Sequence, residues 1–375
     1  MVFDKEAAFE EAVITVLKQH GWDDADGVLR YPTEQDLIEN WAKILFQNNA
    51  DIDRLNGCPL TQGEMAQVIE QIETLKTPLA LNGFINGKTV AITRDNPNDP
   101  LHLGKEVSLK IYDRQEIAAG QSRYQIAQQP VYPAKSKILN DRRGDLCLLI
   151  NGMPVTHIEL KRSGVPVSQA TGQIEKYAHE GVFTGLFRLV QIFVGMTPDE
   201  ARYFANPGTG AFNPNFFFHW EDFNNEPVCA GDKPGTGEWK RFTSTLLSIP
   251  MAHQLIGFYT VADSSDGCLK VMRSYQYYAA AAISDKVRRC KWDERPKSSA
   301  PGRPGGYIWH TTGSGKTMTA LSLMGLLPQG GRVSSGSMLL EGEDLTAMPP
   351  ASVRKLRGTK VGMIFQDPLT SLNPT

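Results

Sequence analysis

The stretch that most constrains this chain is a pair of strand-forming runs on either side of Asn151-Gly152. Leu146–Ile150 is apolar throughout, Val155–Leu160 is rich in strand formers, and Asn-Gly between them is a strong hairpin signal. Asp145 precedes the first run, and Glu159 and Lys161 close the second. Residues two apart on a strand share a face, so Glu159 and Lys161 project together. A three-residue loop, Asn151–Met153, sets Asp145 directly opposite Glu159. A loop of two or four residues needs a bulge to bring the acids onto one face. Carboxylates held side by side repel unless a cation neutralises them, and Mg2+ suits such hard oxygen ligands. A neighbouring ammonium can then steady or deprotonate a water that attacks phosphorus. Arg142, Arg143, Lys161 and Arg162 lie close in sequence and supply charge for phosphate contacts. The pattern therefore points to a metal-dependent phosphodiesterase; the plainer alternative is charged strand ends facing water. His157 shares the face of Glu159, where an ordinary packed histidine is the expectation.

Composition narrows the class. Lys and Arg number 39 against 41 Asp and Glu, a net charge of -2, which excludes a histone-like field but not a local basic groove. No apolar run approaches the roughly 20 residues of a membrane helix, and the acidic start lacks the pattern of a secretory leader. Five scattered cysteines, never spaced as CxxC, argue against a disulfide framework or a cysteine zinc site. A cytoplasmic protein with no membrane partner is the expectation.

Periodicity predicts helices over Glu6–Leu17, from Thr33 through Leu45, and over Gln62–Lys76, the last stopping before Pro78. Strands are predicted at Thr89–Ile92, Val107–Tyr112, Arg123–Ile126, Leu146–Ile150, Val155–Leu160 and Leu189–Val194, with a helix over Gln169–Tyr177. Asn206–Glu238, rich in Pro, Gly and Asn, reads as a long loop or insertion. Its Phe216–Trp220 run predicts a short buried strand rather than a base-stacking platform. A helix near Ser274–Ile283 and a hydrophilic linker, Lys291–Pro304, lead to a short strand, Tyr307–His310.

The run RRGDLxLxxNGxPxxxIELK, from Arg142 to Lys161, resembles the nuclease domain of the motor (R) subunit of type I restriction enzymes, of the PD-(D/E)xK class. The resemblance extends to Gln173-Ile-Glu-Lys-Tyr177, which matches the family's QxxxY helix, and to Glu6-x-x-Phe9-Glu10 with Gly21-Trp22, which looks like its opening helix. It covers roughly residues 4 to 317. It implies Asp145, Glu159 and Lys161 as catalytic trio, Gln173 and Tyr177 as supporting catalytic residues, and Asp145, Glu159 and Glu10 as residues toward Mg2+. It also implies double-stranded DNA as substrate, with the modification and specificity subunits of a type I restriction complex as partners.

A second motif lies downstream. Gly313-Ser314-Gly315-Lys316-Thr317 follows a predicted strand and opens a helix, the setting in which backbone N–H groups cradle the phosphates of ATP. Lys316 would reach the β/γ-phosphates and the Thr317 hydroxyl would bind Mg2+. Gln276, in Arg273-Ser-Tyr-Gln276, resembles the adenine-reading glutamine of such motors. After the loop, Thr319–Pro328, Gly336–Leu345 and Val361–Pro374 look like an ATP-binding-cassette ATPase of the dipeptide and oligopeptide importers, with Gln366 at its Q-loop position. The sequence reads as a chimera joined near Gly313–Thr319. With no Walker B strand or signature motif following, weak nucleotide binding without sustained turnover is expected.

The expected architecture is α/β: a PD-(D/E)xK restriction-endonuclease-like mixed sheet flanked by helices, followed by an incomplete P-loop (RecA-like/ABC) fragment. Residues 1–250 would form the nuclease domain, 251–317 the start of a motor, and 318–375 the cassette-like segment. An importer ATPase fragment behind a fused nuclease domain and an inactive DNA-binding remnant are the alternatives.

Overall fold

The computed structural model describes residues 2–112, 122–133, 141–208, 210–263, 268–289, 339–340, 343–344 and 348–356. The chain divides into two compact units, Met1–Met272 and Arg273–Thr375.

The first unit opens with α1 (Glu6–Gln19), whose buried face carries Phe9, Val13, Ile14, Val16 and Leu17 together with one acid, Glu10. A short β1 (Leu29–Arg30) precedes α2 (Glu34–Asn48) and α3 (Gln62–Thr74). Both helices start in a capping box, Thr33 with Asp36 and Thr61 with Glu64, so each satisfies backbone donors that a helix end would otherwise strand. The third helix stops at Thr74, short of the expected Lys76. A helix not anticipated from sequence follows, α4 (Pro78–Asn86). Pro78 stands in its first turn, where a missing N–H costs nothing; the proline opens a helix as well as following one.

The ribbon of β2 (Thr89–Thr93) and β3 (Glu106–Lys110) stands apart from the main sheet. β4 (Tyr124–Gln128) enters the main sheet, and β5 (Val131–Tyr132) pairs with β6 (Arg142–Arg143) as a small ribbon at its end. β7 (Leu146–Ile150) and β8 (Met153–Leu160) form the hairpin, α5 (Val167–Glu180) follows, and β9 (Ile192–Met196) and β10 (Ala201–Ala205) complete the sheet. The order is β1-β4-β7-β8-β9-β10. β1 runs parallel to β4 and β8 parallel to β9, while the other pairs are antiparallel, so the sheet is mixed. Every residue of β7 and β8 is buried, as expected of central strands covered on both faces.

Helix α5 approaches β9 closely because Gly195 has no side chain. A Cβ there would meet Thr171 Cγ2 at 2.9 Å and Ala170 Cβ at 3.3 Å. Gly195 is paired with Glu159 across the sheet, so this contact brings the helix over the acid end of β8.

β9 begins at Ile192, later than expected, because Gly185–Leu189 forms a 3-10 helix first. The aromatic run of the following segment is not a regular strand. Pro214–Phe216 is a 3-10 turn, and Phe218 makes a single antiparallel bridge to Tyr203. Trp220 is buried and Phe217 stacks on Phe204 with ring centroids 4.0 Å apart, whereas Phe216 is 48% exposed. The run is therefore packing material, as expected, but without a ladder. Helices α6 (Glu238–Thr245) and α7 (Met251–Gly257) and the hairpin of β11 (Thr260–Asp263) with β12 (Cys268–Val271) finish the unit.

In the second unit, α8 (Ser274–Arg289), a hairpin of β13 (Leu339–Leu340) with β14 (Glu343–Asp344), and α9 (Pro350–Leu356) are described. The Tyr307–His310 strand, the loop Gly313, Ser314, Gly315, Lys316 and Thr317, and Gln366 lie outside the described residues. Gln276 lies in α8, where its Oε1 accepts the Arg273 N–H at 3.0 Å. Among the described residues no helix is long and apolar enough to cross a membrane.

Candidate active site at the end of the buried hairpin

The hairpin turn is two residues long, with Asn151 and Gly152 both at positive φ (52° and 84°), the conformation that a tight strand-matching turn demands. A two-residue turn alone would place the acids on opposite faces. A register shift between Leu148 and Leu149 corrects this: Leu149 pairs with Pro154, Leu148 with Thr156, and Val155 is the extra residue. Beyond the bulge the pairs run Cys147 with His157 and Leu146 with Ile158. Asp145 thus comes to the level of Glu159. Of the alternatives open in the sequence, the structure adopts the bulged one.

Asp145 is held on both sides of its chain. Its carbonyl accepts the Gln129 N–H at 2.7 Å, and its Oδ2 accepts the Leu160 N–H at 2.6 Å. Glu159 has no exposed side-chain surface; its Oε1 accepts Lys161 Nζ at 3.1 Å, and its Oε2 has no hydrogen-bond partner. Lys161 also donates to the Leu160 carbonyl at 2.9 Å and lies 3.9 Å from Glu6. Burial, and after it the charge of Glu159, pushes the Asp145 carboxyl well above its ordinary range, against the pull of the Leu160 N–H. Burial likewise pushes Glu159 up to about 7, opposed by the charge and hydrogen bond of Lys161 and by the adjacent Asp145 carboxyl. One ammonium beside two carboxylates leaves the cluster short of positive charge.

Gln173 and Tyr177, one turn apart on α5, are joined: Gln173 Nε2 donates to Tyr177 Oη at 2.7 Å, and Tyr177 donates to the Arg143 carbonyl at 2.8 Å. Both line an open cleft of about 590 Å3 with Lys161, Arg142 and Lys176. Arg142 is also gripped by Glu180 through two bonds of 2.7 and 3.0 Å. Glu10 is buried, and its carboxylate accepts Gln128 Nε2 at 2.5 Å and Gln129 Nε2 at 3.2 Å; burial raises its pKa against these bonds. Among the described residues no three His, Cys, Asp or Glu side chains form a metal-holding group, and the charge of Glu10 reaches Asp145.

The donor set fits Mg2+. This ion characteristically takes one or two carboxylates and completes its shell with water and substrate oxygens, and Glu159 Oε2 is a buried oxygen lacking a partner.

Sequence reasoning placed His157 on the face of Glu159 but missed its partner Tyr132. Tyr132 and His157 are fully enclosed, and Tyr132 Oη is 2.8 Å from His157 Nδ1. Burial pushes His157 down to about 4, so the ring is neutral. This pair also explains the glycine of Arg-Arg-Gly-Asp. A Cβ on Gly144 would stand 2.7 Å from His157 Cε1 and 2.8 Å from Tyr132 Cε2. A glycine just ahead of a strand is a signal of close backbone approach, but nothing in the sequence names Tyr132 as the neighbour.

The family described as "Type I restriction enzyme R protein N terminus" matches residues 4–212, more than half of the chain. The chain belongs to this family. A type I restriction enzyme endonuclease subunit of Staphylococcus saprophyticus is 28% identical over 355 residues, 95% of this chain and 34% of that protein. One from Staphylococcus aureus strain MSSA476 is 26% identical over 369 residues, 97% of this chain and 35% of that protein. The chain thus spans about a third of the length of these relatives. Residues 275–340 match the SWI2/SNF2 ATPase family. A short segment is 52% identical over 63 residues to an oligopeptide transport ATP-binding protein of Haemophilus influenzae, 17% of this chain and 19% of that protein.

Proposed function

We propose that residues 1–250 form a Mg2+-dependent DNA endonuclease domain of the PD-(D/E)xK class, acting in a type I restriction–modification system. The single observation that carries this reading is the buried pair Asp145 and Glu159, raised in pKa, with Glu159 Oε2 unpartnered and Lys161 alongside. With one ammonium beside two buried carboxylates, a further cation would offset the charge that Lys161 leaves uncompensated.

Asp145 and Glu159 would hold the ion, with Glu10 adding negative field from behind its two glutamines. A divalent ion there would act as a Lewis acid toward a scissile phosphate. Lys161, fixed by Glu159 and the Leu160 carbonyl, would orient the attacking water and steady the charge that develops on phosphorus. Gln173 and Tyr177 would wall the cleft and hold the Arg143 backbone, while Arg142, Arg143, Arg162 and Lys176 would meet the backbone of double-stranded DNA. Modification and specificity subunits are the partners that the family membership suggests.

Residues 251–317 would begin a motor and 318–375 would be a cassette-like segment. The two ATPase similarities support ATP binding at Gly313–Thr317, with Gln276 and Gln366 as further nucleotide contacts. The importer likeness is confined to 17% of the chain and therefore does not displace the nuclease reading.

The test is supercoiled-plasmid nicking in Mg2+ by wild type, Asp145→Ala and Lys161→Ala. Each substitution is expected to lower the rate on the order of 10²–10³-fold with the fold intact. Equal rates in all three proteins would remove the assignment.

A further inference from the structure

Two buried polar atoms without hydrogen-bond partners face each other beside the acids. His157 Nε2 lies 3.5 Å from Glu159 Oε2, and neither side chain has any exposed surface. Behind the ring, Tyr132 Oη is 2.8 Å from Nδ1. A carboxylate oxygen can only accept, whereas a phenol can donate. With Glu159 ionised, as it must be to hold a cation, the tautomer that serves both neighbours has Tyr132 donating to Nδ1 and the proton on Nε2, on the side of Glu159.

Packing alone does not account for this arrangement. The slot is walled by Tyr132, Tyr177, Phe183 and Phe193, whose centroids lie 5.4–6.3 Å from the imidazole, an environment that an apolar side chain would fill without a stranded N–H. The same pair excludes any side chain at residue 144, directly before Asp145. Nε2 stands 3.5 Å from Glu159 Oε2 without a formed hydrogen bond, and that oxygen has two lone pairs, so it can accept from the ring and still face a cation.

We propose that His157, aimed by Tyr132, is a positioning residue that fixes the Glu159 carboxylate toward the divalent cation. The proposal rests on the metal-nuclease reading above. Outer partners of metal-binding side chains restrict their orientation, and losing them commonly costs 10–100-fold in metal affinity.

The experiment uses the full chain and Mn2+ alone as probe, with binding followed by electron paramagnetic resonance and the Mg2+ dependence of plasmid nicking measured in parallel. Tyr132→Phe and His157→Leu are expected to weaken Mn2+ binding about 10–100-fold and to raise the half-saturating Mg2+ by a similar factor. The nicking rate at saturating Mg2+ should change far less. His157→Gln, which restores a side-chain N–H, should recover most of the affinity. Wild-type Mn2+ affinity in folded Tyr132→Phe and His157→Leu overturns the proposal and leaves the nuclease reading standing. Should His157→Leu not fold, Tyr132→Phe decides, since it removes a single oxygen. A wild-type protein that neither binds Mn2+ nor nicks faster than Asp145→Ala overturns both readings.

Discussion

Two regions of the first unit bury charge, and they do so in opposite ways. Near α3, Arg94 is fully enclosed and spends its guanidinium on Glu64 at 2.7 Å, Asp99 at 3.0 Å and the carbonyls of Leu55 and Cys58. Glu64 in turn accepts the N–H groups of Thr61 and Asp95, and Asp99 accepts Asn56 and His102. Although burial raises it, the hydrogen bonds of His102, Arg94 and Asn56 hold Asp99 below its ordinary pKa. At the hairpin, burial dominates, two acids are raised, and an oxygen stays unpartnered. The first cluster is closed by the protein itself. The second keeps a buried carboxylate oxygen without a hydrogen bond, which is where the proposed cation would bind.

Breaking the closed cluster should have the largest effect on stability. Arg94→Met leaves two buried carboxylates uncompensated and is expected to cost about 3–5 kcal/mol in urea unfolding. A loss near zero would mean that the two clusters do not differ in kind. At the open cluster the sign reverses. Glu159→Gln should stabilise the metal-free chain at pH 8 by about 1–3 kcal/mol, because it removes a buried charge that the fold resists. The raised Glu159 contributes stability while protonated, fully below about 4.5, and loses it as pH climbs through about 7. The gain from the glutamine should therefore shrink toward nothing at pH 4.5, which thermal unfolding at the two pH values measures. The smallest effect concerns metal demand. Protons compete for the raised acids, so the Mg2+ needed for half-maximal nicking should rise as pH falls from 8 to 6, by at most about tenfold per unit per proton displaced. A flat Mg2+ requirement over that range would contradict the pKa assignments.

Glu159 and Lys161 were legible as neighbours because strand periodicity is rigid: two apart means one face, and Asn-Gly marks the reversal that brings the Asp145 strand alongside. Gln173 and Tyr177 were legible through the family resemblance, and their spacing of four puts both on one helical face. The bulge was not, since the choice among loop lengths depends on tertiary packing around Asn151, which donates to the Ile111 carbonyl and accepts the Arg123 N–H. Tyr132 escaped because its meeting with His157 is a contact between strands β5 and β8, with no fixed offset in the chain. The two-residue β1 is too short to leave a pattern, and Arg94 reads in sequence as an ordinary surface charge.

Val155 at the bulge has a consequence for how this region can vary. It makes the spacing between the acids a matter of odd and even: one residue removed from the hairpin reverses which side of β8 every later side chain occupies, turning Glu159 away from Asp145. Substitutions along these strands change the site by degrees. Single-residue length changes invert it, so drift in this part of the chain must proceed by replacement rather than by gain or loss.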